Sequence, residues 1–122
     1  MLVVDDNEDA LELLGEALTM SGYEAVTAAD AATAITRATA LKPHVALLDI
    51  GLPVMDGYEL ARRLREIAGL EQLKLVALTG YGQPADKARA RAAGLDEHLV
   101  KPISLEQVES VLERIARTLP PP

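Results

Sequence analysis

A polar or charged side chain ends each of four short apolar runs in this chain. These side chains are Asp5, Asp6, Asp49, Thr79 and Lys101. Three carboxylates held close together repel one another and raise one another's pKa, a conflict that a divalent cation removes. Carboxylate oxygens without cysteine or histidine favour a hard ion such as Mg²⁺, which keeps several waters and leaves room for a phosphoryl oxygen. With an added ammonium group and hydroxyl, such a cluster suits phosphoryl transfer, and a carboxylate can itself be the nucleophile.

The apolar runs predict the elements that would bring these side chains together. Short runs rich in valine and leucine, close to turn residues, are typical of buried parallel strands. The predicted strands are Leu2–Asp5, Ala25–Ala28, Val45–Asp49, Leu75–Thr79 and Leu99–Lys101. Ligands bind at the carboxyl ends of the strands in an open parallel sheet, so one edge would gather the acids, the threonine and the lysine.

Amphipathic stretches between the runs predict five helices. Their expected caps or first-turn residues are Asn7, Asp30, Asp56, Pro84 and Ser104, and Glu59 and Gln107 fit capping boxes. Their expected ends are marked by Gly22, Pro43 and Gly94. The apolar faces should be Leu11, Leu14 and Leu18; Ala34, Ile35, Ala38 and Leu41; Leu60, Leu64 and Ile67; and Val108, Val111, Leu112 and Ile115. Strands alternating with helices predict a doubly wound α/β domain with a five-stranded parallel sheet.

Composition narrows the class of protein. The length of 122 residues fits one domain, which we assign to residues 1–119, with residues 120–122 as an extended tail. A net charge of −7 argues against a nucleic-acid surface, and the absence of cysteine excludes disulfides and thiolate metal sites. No apolar stretch approaches the roughly 20 residues of a membrane span, and the N-terminus lacks a signal-peptide pattern. We therefore expect a cytoplasmic protein that does not insert into membranes.

Four motifs carry a resemblance to a known family. The segments VVDDNED, ALLDIGLPVMDG, ALTGYG and LVKP follow one another at suitable spacing. In this order they resemble the acidic pair, phosphoacceptor segment, switch threonine and lysine-proline pair of the receiver domain of two-component response regulators. The resemblance runs from Leu2 to about Leu119 and is somewhat stronger to the receivers of hybrid histidine kinases. It implies the flavodoxin-like receiver topology.

The resemblance implies a role for each candidate residue. Asp49 would accept the phosphoryl group. Asp6, Asp49 and the backbone carbonyl of Gly51 would ligate Mg²⁺ directly, and Asp5 would hold the ion largely through water. Lys101 would pair with the phosphoryl group, and Thr79 would turn inward to hydrogen-bond it. The resemblance also implies a cis peptide bond between Lys101 and the proline that follows it.

The same resemblance implies partners and an output. The phosphoryl donor would be a phosphohistidine on a sensor histidine kinase or a histidine phosphotransfer protein, and small phosphodonors such as acetyl phosphate could replace it. The domain would catalyse its own phosphorylation and later hydrolysis without being a conventional turnover enzyme. Phosphorylation would switch a face formed by the fourth helix, fifth strand and fifth helix. No direct nucleic-acid partner is expected.

Three positions depart from the family pattern or bear on it. His98 stands three residues before the lysine, where the family usually has an aromatic rotamer switch, and it is either such a switch or a half-exposed polar residue. Gly51, two residues after Asp49, offers no side chain to screen an acyl phosphate. Tyr81 is the other candidate for that screening role.

Three other functions fit parts of the pattern. A pseudo-receiver would use the fold as an interaction module without phosphorylation, and the full set of Asp6, Asp49, Thr79 and Lys101 argues against it. An aspartyl phosphohydrolase generally needs a second acid two residues after its nucleophile, where this chain has Gly51. A flavin-binding module needs a phosphate-binding loop after the first strand, where the segment DDNED is acidic.

Overall fold

A five-stranded parallel sheet forms the centre of the computed structural model, which describes residues 1–80 and 87–118. The strands are β1 (Leu2–Val4), β2 (Val26–Ala28), β3 (Val45–Asp49), β4 (Lys74–Thr79) and β5 (Glu97–Val100). Their order in the sheet is β2-β1-β3-β4-β5, and every neighbouring pair is parallel. This is the doubly wound arrangement that the sequence predicts, and β1 and β3 lie side by side near its centre.

Five helices cover the two faces of the sheet. They are α1 (Glu8–Met20), α2 (Ala31–Leu41), α3 (Gly57–Arg65), α4 (Lys87–Ala93) and α5 (Leu105–Thr118). Side chains of successive strand residues point to opposite faces, so each strand contributes to two cores. In β1, Val4 packs in the core beneath α2 and α3, whereas Val3 packs in the core beneath α1 and α5.

The predicted caps position most of the helices. The side chains of Asn7, Asp30 and Asp56 accept hydrogen bonds from backbone N–H groups three residues along the chain. Ser104 and Gln107 form a reciprocal capping box, with distances of 2.8 and 3.2 Å between donor and acceptor. Because these bonds satisfy otherwise unpaired N–H groups, they define where each helix begins. The predicted cap Pro84 lies outside the described residues.

Several strand bounds and two apolar positions differ from the sequence prediction. Strands β1 and β5 each end one residue earlier than predicted, β2 begins one residue later, and β4 begins one residue earlier. Strand β5 begins at Glu97, two residues before the predicted start. The predicted start is too late because the first residues of the strand are polar and do not resemble a buried strand. Leu41 was predicted to face inward but is 54% exposed, since it ends α2 just before Lys42 turns into a left-handed conformation. Ile67 packs against the core from beyond the end of α3, which stops at Arg65.

Strand β2 forms one edge of the sheet, and one of its outward backbone groups is covered. Val26 and Ala28 hydrogen-bond to the β1 side, so Thr27 between them directs its backbone groups outward. The guanidinium of Arg37, from α2, donates a hydrogen bond to the Thr27 carbonyl. The exposed edge is therefore short and partly capped by a cation.

Arg65 joins α3 to the strands β4 and β5. Its guanidinium donates to the Leu73 carbonyl and to the Asp96 carboxylate, the latter at 2.9 Å. The same carboxylate oxygen accepts the backbone N–H of Leu75. A Cβ on Gly94, which follows α4, would lie only 2.8 Å from the Arg65 guanidinium. These contacts fix the start of β4, the entry to β5 and the end of α4 together.

Candidate functional site

Buried polar side chains mark the carboxyl edge of the sheet. Among residues 1–80 and 87–118, the buried polar or charged side chains are Asp5, Asp49 and Thr79, each no more than 6% exposed. All three lie at or just beyond the ends of central strands. Aspartate is rarely buried unless it is paired, so a cation or a set of donors is needed at this edge.

Lys101 supplies that cation. Its Nζ atom lies 3.1 Å from Oδ2 of Asp49 and 3.0 Å from Oδ2 of Asp5. The lysine follows β5, so the three strands β1, β3 and β5 deliver the charged groups to one pocket. The peptide bond between Lys101 and Pro102 is cis, as predicted.

Backbone N–H groups complete the coordination of the two buried carboxylates. The N–H of Gly51 donates to Oδ1 of Asp49 at 2.9 Å, and the N–H of Asn7 donates to Oδ1 of Asp5 at 3.0 Å. Gly57, the first residue of α3, lies so close to β3 that a Cβ there would be 2.6 Å from the Asp49 carbonyl oxygen. The loop therefore holds the Asp49 backbone and side chain in one place.

The two buried carboxylates differ in their pKa. Burial raises the pKa of Asp5 above its ordinary value, although the Asn7 amide and Lys101 act in the opposite direction. Burial also acts to raise the pKa of Asp49, but the Gly51 amide and Lys101 outweigh it, so this pKa is lowered. The pKa of Lys101 is raised because its two carboxylate partners outweigh its own burial. Asp49 thus keeps a negative charge in a buried position, as a nucleophile requires.

A third carboxylate makes the pocket suitable for a metal ion. Ligand oxygens of Asp5, Asp6 and Asp49 all lie within 4.8 Å of one another, and Asp6 is exposed to solvent. An all-oxygen donor set with one open side fits Mg²⁺, which retains water ligands. The predicted carbonyl ligand belongs to Gly51, which lies beside this cluster, and its role stays a prediction.

The two predicted switch residues lie on adjacent strands. The buried hydroxyl of Thr79 donates to the Leu99 carbonyl of β5 at 3.3 Å. His98, the residue before Leu99, is exposed on β5 and pairs in register with Ala77 of β4. Their predicted switching roles stay predictions, and the screening role of Tyr81 concerns a residue outside the described part of the chain.

An apolar groove opens beside the pocket, between α1 and α5. Its volume is about 530 Å³, and its lining includes Lys101, Pro102 and Ile103 together with Leu13 and Leu14 of α1. Leu13 is 69% exposed. Helical spacing in the sequence places only Leu11, Leu14 and Leu18 on the apolar face of α1, so Leu13 in this groove was not predicted.

The sequence and fold of this chain are similar to those of known proteins. A family model described as the response regulator receiver domain matches residues 1–113. The chain belongs to the response regulator receiver family. The receiver domain is 34% identical to the transcriptional regulatory protein PrrA of Mycobacterium tuberculosis over 117 residues, which cover 96% of this chain and 49% of PrrA. It spans about half the length of the first curated relatives that it matches.

Solved structures share the fold of this chain. The chemotaxis protein CheY4 of Vibrio cholerae superposes with a TM-score of 0.87 at 31% identity, covering 93% of this receiver domain and 95% of CheY4. The receiver domain of the sensor histidine kinase PA1611 of Pseudomonas aeruginosa superposes with a TM-score of 0.81 at 28% identity, covering 93% of each chain. That structure has a magnesium ion coordinated in its active-site cleft. Receiver domains bind Mg²⁺ at an acidic pocket, and this chain has a cluster of three aspartates, Asp5, Asp6 and Asp49.

The comparisons also bear on the expected partners and location. PrrA is named a transcriptional regulatory protein, so the absence of a nucleic-acid partner stays a prediction for these 122 residues alone. Among the described residues, no helix has the length and apolar character needed to cross a membrane.

Proposed function

We propose that this receiver domain accepts a phosphoryl group on Asp49 from a phosphohistidine, in a reaction that depends on Mg²⁺. The observation that supports this most directly is the placement of the Asp49 carboxylate between a backbone N–H and the Lys101 ammonium, beside two further acids. Such an arrangement holds a charged nucleophile in position and offers a cation where phosphoryl oxygens would lie.

The proposed transfer exchanges one bond for another. An oxygen of Asp49 attacks phosphorus, the bond between phosphorus and the histidine nitrogen breaks, and the imidazole keeps the electron pair and takes up a proton. Lys101 then exchanges its contact with the carboxylate for one with the phosphoryl oxygens. When bound by Asp5, Asp6 and Asp49, Mg²⁺ would offset charge on those oxygens. Attack of water on phosphorus would later return Asp49 to its free form.

The groove between α1 and α5 is a suitable docking surface for the donor protein. It begins at the site residues Asp5 and Lys101 and continues along the apolar residues of α1. A helix that carries a phosphohistidine could pack its apolar face here while the imidazole reaches Asp49. The donor would be a sensor histidine kinase or a histidine phosphotransfer protein, and a small phosphodonor would bypass the groove.

The output would arise from the link between β4 and β5. If Thr79 exchanges its bond to the Leu99 carbonyl for one to the phosphoryl group, β5 loses a contact to β4. His98 and α4 would then change position in a fraction of molecules, which is a population shift biased by phosphorylation. We propose that partners read this face, formed by α4, β5 and α5. The domain would act as a switch with self-phosphorylation and self-dephosphorylation only.

Intact mass after incubation with acetyl phosphate and Mg²⁺ tests the proposal. We expect the wild-type domain to gain the mass of one phosphoryl group, and we expect no gain for Asp49→Asn or when EDTA replaces Mg²⁺. Thr79→Ser should be phosphorylated like the wild type. If the wild type gains no mass with either acetyl phosphate or phosphoramidate and behaves like Asp49→Asn, the result favours the pseudo-receiver alternative and the proposal fails.

A further inference from the structure

An exposed valine adopts a left-handed backbone conformation on the loop that follows Asp49. Val54 has a φ angle of 70°, and its side chain is fully exposed to solvent. Residues branched at Cβ rarely adopt this conformation, because Cβ crowds the backbone, whereas glycine and asparagine adopt it readily. The residue type at position 54 therefore conflicts with its local backbone.

The surrounding loop imposes this conformation on Val54. The N–H of Met55 donates to the carbonyl of Pro53 at 2.8 Å, which closes a three-residue turn with Val54 at its centre. A turn of this kind with positive φ is rare and strained. Leu52 is buried on one side, and on the other side the N–H of Gly57 donates to the carbonyl of the residue after Asp49. Both ends of the loop are held, so the valine side chain does not create the turn.

Stability of the isolated domain does not explain a valine at this position. The strain costs folding free energy, and an exposed side chain returns none of it through burial. Asparagine or glycine would relax the same turn without removing a packed side chain. Local conflicts between residue type and backbone are expected at functional sites, so the strained, exposed valine points to a contact outside the domain.

The position of Val54 relative to Asp49 identifies the contact. The loop leads from β3 to α3, on the face of the sheet that α2 and α3 cover, whereas the groove with Leu13 lies on the opposite face. Val54 and Leu13 are two of the exposed large apolar residues, and they belong to segments on opposite faces of the sheet. A protein that reaches Asp49 from the groove would meet Val54 on the far side.

We infer that Val54 is an apolar anchor for the protein that carries the phosphohistidine. This inference rests on the proposed function of Asp49. The donor would contact the receiver domain on both sides of the reacting histidine, with an apolar side chain against Val54 and an apolar helix face in the α1–α5 groove. A small phosphodonor would not use this contact.

The test compares protein and small-molecule donors with Val54→Asn. The protein probe is chosen from a set of radiolabelled histidine phosphotransfer domains and kinase dimerisation domains. It is the member of that set that transfers its phosphoryl group fastest to the wild-type domain. We expect kcat/KM for this donor to fall about tenfold through a higher KM, while the rate with acetyl phosphate stays within about twofold. We also expect Val54→Asn to raise the urea midpoint, because the strain is relieved.

Two control variants separate the contact from a general surface effect. Val54→Ile keeps the strained, apolar side chain and should transfer at the wild-type rate. Leu41→Asn removes another exposed apolar side chain, at the end of α2 and away from the carboxyl edge, and should leave transfer unchanged. Each of three outcomes would overturn the inference. They are unchanged transfer to Val54→Asn, an unchanged or lower urea midpoint of that variant, and failure of every protein donor while acetyl phosphate works. Failure of the wild type with both acetyl phosphate and phosphoramidate would instead overturn the proposed function.

Discussion

Lys101 balances two buried carboxylates with one positive charge. Asp49 and Asp5 each have one oxygen within 3.1 Å of its Nζ atom and the other on a backbone N–H group. The lysine would therefore compete with a divalent cation for the same oxygens. It is also the group that would bind a phosphoryl oxygen after transfer. Metal affinity and phosphorylation should respond to its removal in opposite directions.

We predict that Lys101→Met binds Mg²⁺ about tenfold more tightly and is phosphorylated by acetyl phosphate much more slowly. The first effect follows because one positive charge a few ångströms from a divalent ion is removed. Isothermal titration calorimetry gives the affinity, and intact mass gives the rate. Weaker Mg²⁺ binding by Lys101→Met would contradict the competition that we describe.

We predict that Gly57→Ala lowers the free energy of unfolding by about 1–3 kcal/mol, the usual effect of overpacking. The new Cβ would lie 2.6 Å from the Asp49 carbonyl oxygen and the Ile50 Cα, so α3 and β3 must separate. Gly51→Ala is the matched control for stability, because its Cβ would lie 3.5 Å from Oδ1 of Asp49, an ordinary contact. Urea unfolding of both variants checks the difference, and equal stability would argue against a close approach at Gly57.

At the scale of elements, the contacts of Arg65 hold together the amino ends of β4 and β5, at the end of the sheet opposite the site. We predict that Arg65→Met costs about 1.5–3 kcal/mol of unfolding free energy, because a partly buried cation with two carbonyl bonds and an ion pair is lost. Arg63→Met is the control, since the contact of Arg63 within the described residues is an exposed pair with Glu59, worth about 0.5 kcal/mol or less. Chemical denaturation followed by circular dichroism measures both, and comparable losses would mean that Arg65 is an ordinary surface residue.

The Asp30 cap of α2 should make stability depend on pH. Hydrogen bonds from the Thr33 backbone lower the pKa of Asp30 below its ordinary value of 3.8. The folded state therefore binds the proton less well than the unfolded state, so the stabilisation is complete above the ordinary pKa and is lost as the pH falls through the lower folded value. We predict that Asp30→Asn, which keeps a capping oxygen, loses less stability than the wild type on acidification from pH 6 to about pH 3. Parallel pH dependences in urea unfolding would contradict this.

Elements built from strong local signals could be predicted from the sequence, and others could not. Strand β3 was predicted at its observed bounds because four apolar residues and Asp49 form an uninterrupted buried run. The start of β5 was missed because Glu97 and His98 are polar, and only pairing with β4 makes them part of a strand. The exposure of Leu41 depends on how the chain turns after α2, which helical spacing does not describe.

Some features of the candidate site could likewise be predicted from the sequence, and others could not. Its acids, threonine and lysine could be placed at one edge because parallel strands end together, and the structure does bring them to that edge. The sharing of Lys101 by two aspartates depends on side-chain geometry, which spacing does not contain. Val54 gave no signal, because a valine between Pro53 and Met55 shows its conflict only once the backbone angle is known.

At the scale of the whole molecule, metal binding should be coupled to folding. The aspartates of the cluster come from β1 and β3 and its lysine from the end of β5, so the site exists only in the folded chain. We predict that Mg²⁺ at a hundredfold excess over its Kd raises the free energy of unfolding by about 2.7 kcal/mol. Circular dichroism is the suitable readout because the chain has no tryptophan. Asp6→Asn should lose most of this effect, and an equal gain in that variant would show that the ion acts elsewhere.

The covered edge of β2 has a consequence for behaviour at high concentration. An open strand edge offers a template on which another copy could add its own strand and begin fibrous aggregation. Here the strand is three residues long, and the Arg37 guanidinium already takes the carbonyl that an incoming chain would need. Growth of an intermolecular sheet from this side must first displace that cation, which favours discrete particles over amyloid-like assembly.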